Sequence, residues 1–76
     1  MNLLVALKVV VKISNDIPSY YAHSQNAGEE LVVYDYSLSS KDIKGHLSNG
    51  KSVTVPLEYV ELVSGNLPKS VTKRMK

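Results

Sequence analysis

The chain has 76 residues, no cysteine, 43% hydrophobic residues and a net charge of +2. This length allows one small domain, and the missing cysteines exclude a disulfide framework and a thiolate metal site. The apolar fraction is too high for a disordered chain. The net charge is too small to indicate nucleic-acid binding by itself. A compact apolar core must therefore stabilise the fold.

The first predicted element is a mostly buried strand over residues 3–13, LLVALKVVVKI. Its β-branched residues favour a strand, and a helix over the same residues is the alternative. The segment has no basic start and no small-residue cleavage site, so it does not resemble a signal peptide, and it is too short to span a bilayer. Because the chain also lacks cysteine, we expect a soluble protein in the reducing cytoplasm.

A long connection follows over residues 14–28, SNDIPSYYAHSQNAG, which is rich in Ser, Asn, Pro and Gly. Ordered loops of this length in small domains are commonly functional. Two adjacent tyrosines, Tyr20 and Tyr21, lie near its centre.

Four shorter strands are predicted over residues 29–36, 43–47, 52–55 and 60–63. Alternation within the first of these puts Tyr34 and Tyr36 on the same face. Between the next two, the sequence Asn49-Gly50 predicts a hairpin with a type I′ turn, in which both residues have positive φ. Pro56 ends the strand over 52–55, and residues 57–59 predict a single 3-10 turn.

The pattern changes after residue 64. We divide the chain into a β-domain over residues 1–64 and a basic tail over residues 65–76. The tail is either disordered and solvated, or a short helix leading to a neighbouring domain, or a segment that contacts phosphates or anionic lipid. Its basic residues are Lys69, Lys73, Arg74 and Lys76.

Five short strands, one long loop, one tight hairpin and a proline-initiated turn indicate an all-β fold, a small five-stranded barrel. The order of these blocks resembles an SH3 domain. NGKSVTVPLEYVELV is similar to the end of that family's fold, with Pro56 and Tyr59 in its P-x-x-Y turn, and AGEELVVYD resembles the segment after its RT loop. The resemblance implies an SH3-like barrel in which residues 14–28 form a long RT-type loop.

The chain departs from the family at the peptide groove. SH3 domains bind proline-rich peptides across aromatic ridges. Aligning ALKVV with the family's first strand puts Lys8 and Val10 at two ridge tyrosines, and Asp42 near the groove tryptophan. Since these side chains offer no aromatic surface, we expect the usual groove to be degraded and proline-rich peptides to bind weakly or not at all.

A non-standard partner surface is the alternative to that groove. We predict that Tyr20, Tyr21 and Asp16 from the loop form it together with Pro56 and Tyr59 from the turn. Tyrosines on a rigid scaffold provide large contact area at low entropic cost. The competing interpretation is that one loop tyrosine folds under the loop and only anchors it.

Catalysis and metal binding are not expected. His23 and His46 have no carboxylate cluster at ligand spacing, no serine lies in a nucleophile motif, and a small barrel offers little concave volume. We therefore predict no enzyme activity, no cofactor and no metal site.

The functional hypothesis is a monomeric protein-interaction module of the adaptor or signalling kind. One alternative is a nucleic-acid-associated barrel that uses Lys8, Lys41, Lys44, Lys51 and the basic tail. The other is a structural barrel that packs on a neighbouring domain.

Overall fold

A computed structural model of the protein describes residues 8–21 and 24–76. It contains one five-stranded antiparallel sheet with the order β4-β3-β2-β1-β5. The strands are β1 (Val10–Ile13), β2 (Glu30–Ser37), β3 (Asp42–His46), β4 (Ser52–Pro56) and β5 (Val60–Ser64). The predicted all-β class and the five strands are confirmed. The sheet is open, however, with β4 and β5 at its edges.

The core follows from alternation along short strands. In β1, β3 and β4 every second residue is buried, because successive side chains of a strand point to opposite faces. The fully buried large side chains are Val11, Ile13, Leu31, Ile43, Val55, Leu57, Val60 and Val71. One of them, Val71, comes from the segment that follows the last strand.

The strand β1 is shorter than the prediction over residues 3–13. It begins at Val10, and Lys8 and Val9 precede it without regular structure. Residues 3–7 lie outside the described residues. Over Val10–Ile13 the strand prediction is confirmed and the helical alternative is wrong.

A β-bulge in β2 overturns the prediction that Tyr34 and Tyr36 share a face. The register with β3 shifts between Val33 and Asp35, so Tyr34 is the extra residue. Paired residues of neighbouring strands share a face, and beyond the bulge Tyr36 lies opposite the buried Ile43. Tyr34 lies on the outer face, where its hydroxyl is 2.7 Å from that of Ser52. A bulge inserts one extra residue into the strand, so the side chains after it no longer alternate in phase with those before it.

The β3–β4 hairpin is present, but its turn is not type I′. Asn49 does not have positive φ, whereas Gly50 has φ of 85°. The Gly50 amide donates to the Leu47 carbonyl at 2.8 Å, and the Leu47 amide donates to Lys51 at 2.9 Å. This is the three-residue hairpin loop in which a type I turn precedes a glycine in the left-handed region. The Asn49 side chain accepts from the Lys51 amide at 2.9 Å, which favours this turn.

Gly45 brings β2 and β3 close together at the centre of the sheet. A Cβ at this position would lie 2.8 Å from the Val32 carbonyl oxygen. A side chain is therefore excluded, and glycine permits the two backbones to approach closely here.

The segment after β5 turns back onto the sheet and contains a short helix, α1 (Lys69–Thr72). Gly65 makes the turn with φ of 88°. Val71 is buried, and Leu67 and Met75 pack against the core. The Lys76 amide donates to the Val60 carbonyl of β5 at 2.9 Å. Of the conformations expected for the tail, the structure shows the short helix, and it lies against the sheet.

Candidate functional site

Three tyrosines form one continuous row, which we call the tyrosine row: Tyr20, Tyr21 and Tyr59. The ring centroids of Tyr20 and Tyr21 are 4.9 Å apart, with an angle of 30° between the planes. Those of Tyr21 and Tyr59 are 5.5 Å apart, with an angle of 60°. Both distances lie in the range of attractive aromatic pairs. The structure thus brings together two predicted loop residues and one predicted turn residue.

The loop over residues 14–28 holds the tyrosine row from one side. Its two ends are fixed to the sheet: the Ser14 amide donates to the Tyr59 carbonyl at 2.7 Å, and the Gly28 amide donates to Ile13 at 2.7 Å. Ile17 is buried beneath the loop, and the Tyr21 amide donates to the Pro18 carbonyl at 3.1 Å. The loop is therefore anchored at both ends and by an apolar side chain between them.

The two loop tyrosines have different environments. Tyr21 is half-buried and packs against the core, which agrees with the anchoring interpretation. Tyr20 is 80% exposed and lies on top of Tyr21. One ring therefore stabilises the loop, and it supports a second ring that is presented to solvent.

The turn between β4 and β5 holds the row from the other side. The predicted 3-10 turn is confirmed over Leu57–Tyr59, where Leu57 is buried and Tyr59 is half-buried. Pro56 is half-buried at the end of β4, opposite Asp42 of β3. The turn thus fixes Tyr59 on the rigid sheet, three positions after the proline.

Charged groups border the row at the Tyr59 end. Asp16 Oδ2 lies 2.6 Å from Lys76 Nζ, and this hydrogen bond raises the pKa of Lys76. Loss of hydration raises the pKa of Tyr59, and the neighbouring Glu58 adds to the effect. Asp16 is therefore beside the predicted surface, but it is already paired with the chain's own lysine.

Lys8 and Val10, which the resemblance placed at ridge positions, do not lie beside Tyr59. The Tyr59 carbonyl, just before β5, accepts a hydrogen bond from the amide of Ser14, the residue that follows β1. Val10 lies at the opposite end of β1, paired with Ser64. The residues that follow β1 toward the turn are Ser14 and Asn15, and neither is aromatic.

Asp42 is half-buried at the start of β3, and its Oδ1 is buried without a hydrogen-bond partner among the described residues. It follows Lys41, which has φ of 58°. All four basic residues of the tail are exposed, and one of them, Lys76, forms an ion pair with Asp16 of the loop.

A pocket that the sequence did not indicate lies at the other end of β1. Its volume is about 310 Å³, and it is lined by Val9, Val33, Tyr34, Asp35, Tyr36, Asn66, Leu67 and Pro68. It depends on the bulge in β2 and on the return of the segment after Gly65. Neither feature has a signal in the sequence, although the apolar Leu67 beside Pro68 is unusual for a solvated tail.

Within residues 8–21 and 24–76, no three His, Asp or Glu side chains are grouped as metal ligands. His46 stacks on Tyr34, with ring centroids 4.8 Å apart, and His23 lies outside the described residues. In the same part of the chain, no helix has the length and apolar character needed to cross a membrane.

No family model, curated protein or solved structure matches the chain. Its function must therefore be argued from the geometry of the described residues.

Proposed function

We propose that the protein is a non-catalytic interaction module of the SH3-like barrel type, which binds a peptide or folded partner through the tyrosine row. The observation that carries this proposal is the row itself. Tyr59 is fixed on a turn, Tyr21 is supported by the core, and Tyr20 is 80% exposed. An exposed aromatic ring on a preformed base is typical of a binding hot spot.

The order of elements supports the SH3-like assignment. A long loop precedes β2, a tight hairpin joins β3 to β4, and a 3-10 turn leads into β5. The loop and the turn converge on one surface, with Asp16 beside it and Pro56 at the start of the turn. The neighbouring Ser14 and Asn15 provide no aromatic ridge, so we expect proline-rich peptides to bind weakly.

The distribution of cations favours a protein partner over nucleic acid. Lys12 lies opposite Glu30 in β2 and Glu61 in β5, and Lys44 lies opposite Asp35. A phosphate-binding surface needs cations grouped without intervening carboxylates. The acidic residues opposite these lysines reduce the positive potential of this sheet face.

The test begins with peptides selected against the full chain from a random peptide library. Because Tyr21 and Tyr59 pack against the core, the informative variant is Tyr20→Ala, which removes an exposed ring without opening the core. We expect this variant to bind the selected peptides about tenfold more weakly and to keep the melting temperature of the unaltered chain. Val32→Ala is the control, since Val32 is also exposed but belongs neither to the tyrosine row nor to the pocket at the other end of β1.

Unchanged affinity of the Tyr20→Ala variant would contradict the proposed surface. A strong fall in affinity with rising salt would instead support the nucleic-acid type of surface, which is dominated by charge. A proline-rich peptide serves as a further probe, and tight binding of it at Tyr59 would show that the usual groove is intact.

A further inference from the structure

The pocket between β1, β2 and the returning segment has the composition of a site for an amphipathic cation. Val9, Val33 and Leu67 belong to the group of half-buried residues that pack on the core. They give the pocket an apolar floor of fixed position. A volume of about 310 Å³ is at the lower end of small-ligand sites, and it matches one long side chain better than a whole cofactor.

The rim of the pocket carries an aromatic ring and a carboxylate. Tyr36 is 37% exposed, and the bulge turns it toward the face of Ile43. Asp35 Oδ1 accepts from the Tyr36 amide at 2.8 Å, which fixes the carboxylate. Among the described residues, the Asp35 side chain makes this one hydrogen bond. It forms no ion pair with any of them. Its Oδ2 is thus available to a donor.

We propose that this pocket binds a lysine side chain of a partner protein. The methylene chain of the lysine lies on the apolar floor, and its ammonium group reaches Asp35 Oδ2 beside the face of Tyr36. The methylene chain of the lysine matches the apolar floor of the pocket, and its ammonium group matches the carboxylate on the rim. The aromatic face of Tyr36 beside the ammonium group adds a cation–π attraction. The site is separate from the tyrosine row and does not depend on the function proposed for that row.

Lys44 is the internal competitor for Asp35. The two residues lie directly opposite each other on β3 and β2, a distance that a lysine side chain can cross. The described structure has no ion pair between them. A partner lysine must nevertheless compete with Lys44, so removing the Lys44 charge should strengthen the site.

The experiment uses two probes that differ only in charge: Nα-acetyl-lysine methylamide and its neutral analogue Nα-acetyl-norleucine methylamide. Each is titrated into the full, isotope-labelled chain, and amide shifts are followed by NMR. We expect shifts at Val33, Asp35, Tyr36 and Leu67, and about fivefold tighter binding of the lysine probe. Asp35→Asn retains an oxygen for the Tyr36 amide, so it should fold normally and abolish the preference for lysine. Lys44→Gln should raise the affinity for the lysine probe about twofold.

Asp16→Asn is the matched control, because it removes a carboxylate at the tyrosine row and should leave both titrations unchanged. The proposal is overturned if the two probes bind equally well to the unaltered chain. Retention of the lysine preference by the Asp35→Asn variant would overturn it too. So would the absence of shifts at these residues, or shifts confined to Tyr20, Tyr21 and Tyr59.

Discussion

At the scale of single residues, the backbone conformation of Lys41 is the clearest source of strain. Lys41 has φ of 58°, in the left-handed region that side chains other than glycine enter at a cost of about 1–2 kcal/mol. Its carbonyl accepts from the Leu57 amide at 2.9 Å. That bond joins the turn before β3 to the turn before β5, and so it keeps Lys41 in this conformation.

Lys41→Gly should therefore stabilise the protein by about 1 kcal/mol, because glycine relieves the strain and loses only part of the gain to its greater freedom when unfolded. The free energy of unfolding can be measured by denaturant titration. Ser40→Gly is the control: Ser40 is exposed and does not have positive φ, so glycine should be neutral or destabilising there. Equal stabilisation by both variants would show that the conformation of Lys41 is not strained.

At the scale of elements, the turns that depend on local chemistry could be predicted from the sequence. Pro56 and the residues after it encode the 3-10 turn, and Asn49-Gly50 encodes a hairpin. Features that depend on pairing between strands were not predictable. The bulge at Tyr34 is determined by register with β3, and the successive valines Val9, Val10 and Val11 do not by themselves fix the register of β1. The proximity of Tyr20 and Tyr21 to Tyr59 was expected from the resemblance alone, because no local signal in the sequence joins residues so far apart.

The raised pKa values of two groups, Lys76 at the end of the described chain and Tyr59 before β5, predict that stability depends on pH. The pKa values of Lys76 and Tyr59 are both raised in the folded protein from ordinary values of 10.5 and 10.0. The stability that each group contributes is therefore complete below its ordinary pKa. It is lost as pH rises through the higher folded value.

We expect the melting temperature to fall above about pH 10, and Lys76→Gln to melt lower than the unaltered chain at pH 7 to 9. That difference should shrink to zero at higher pH, when Lys76 is neutral in both states. Lys73→Gln is the control, since Lys73 is exposed and has no ion pair among the described residues. Melting curves over a pH series measure the effect, and a constant difference between Lys76→Gln and the unaltered chain would contradict it.

At the scale of the whole molecule, the segment after β5 completes the core of an open sheet. A small domain buries little surface and is only marginally stable. Here Val71 is fully buried although it lies outside every strand. The division of the chain after residue 64 does not correspond to a division of the core.

Val71→Ala should destabilise the protein by about 2 kcal/mol, from lost burial and the cavity left behind. For a domain of this size, such a change lowers the melting temperature by about 10 °C. Val63→Ala is the matched control, because Val63 is 49% exposed and surface substitutions change stability by about 0.5 kcal/mol or less. If the two variants melted alike, the helix would not be part of the core.

The position of β1 between β2 and β5 has a consequence for how the chain folds. The hairpin of β3 and β4 joins neighbouring residues and can form early, whereas β1 must wait for β5, which follows it only after β2, β3 and β4. Pairings between distant residues close slowly because the intervening chain loses entropy before any contact forms. During synthesis, the valines of β1 are made before either of their partner strands, β2 and β5. We therefore expect slow folding for so small a domain, with the union of β1 and β5 as its late step.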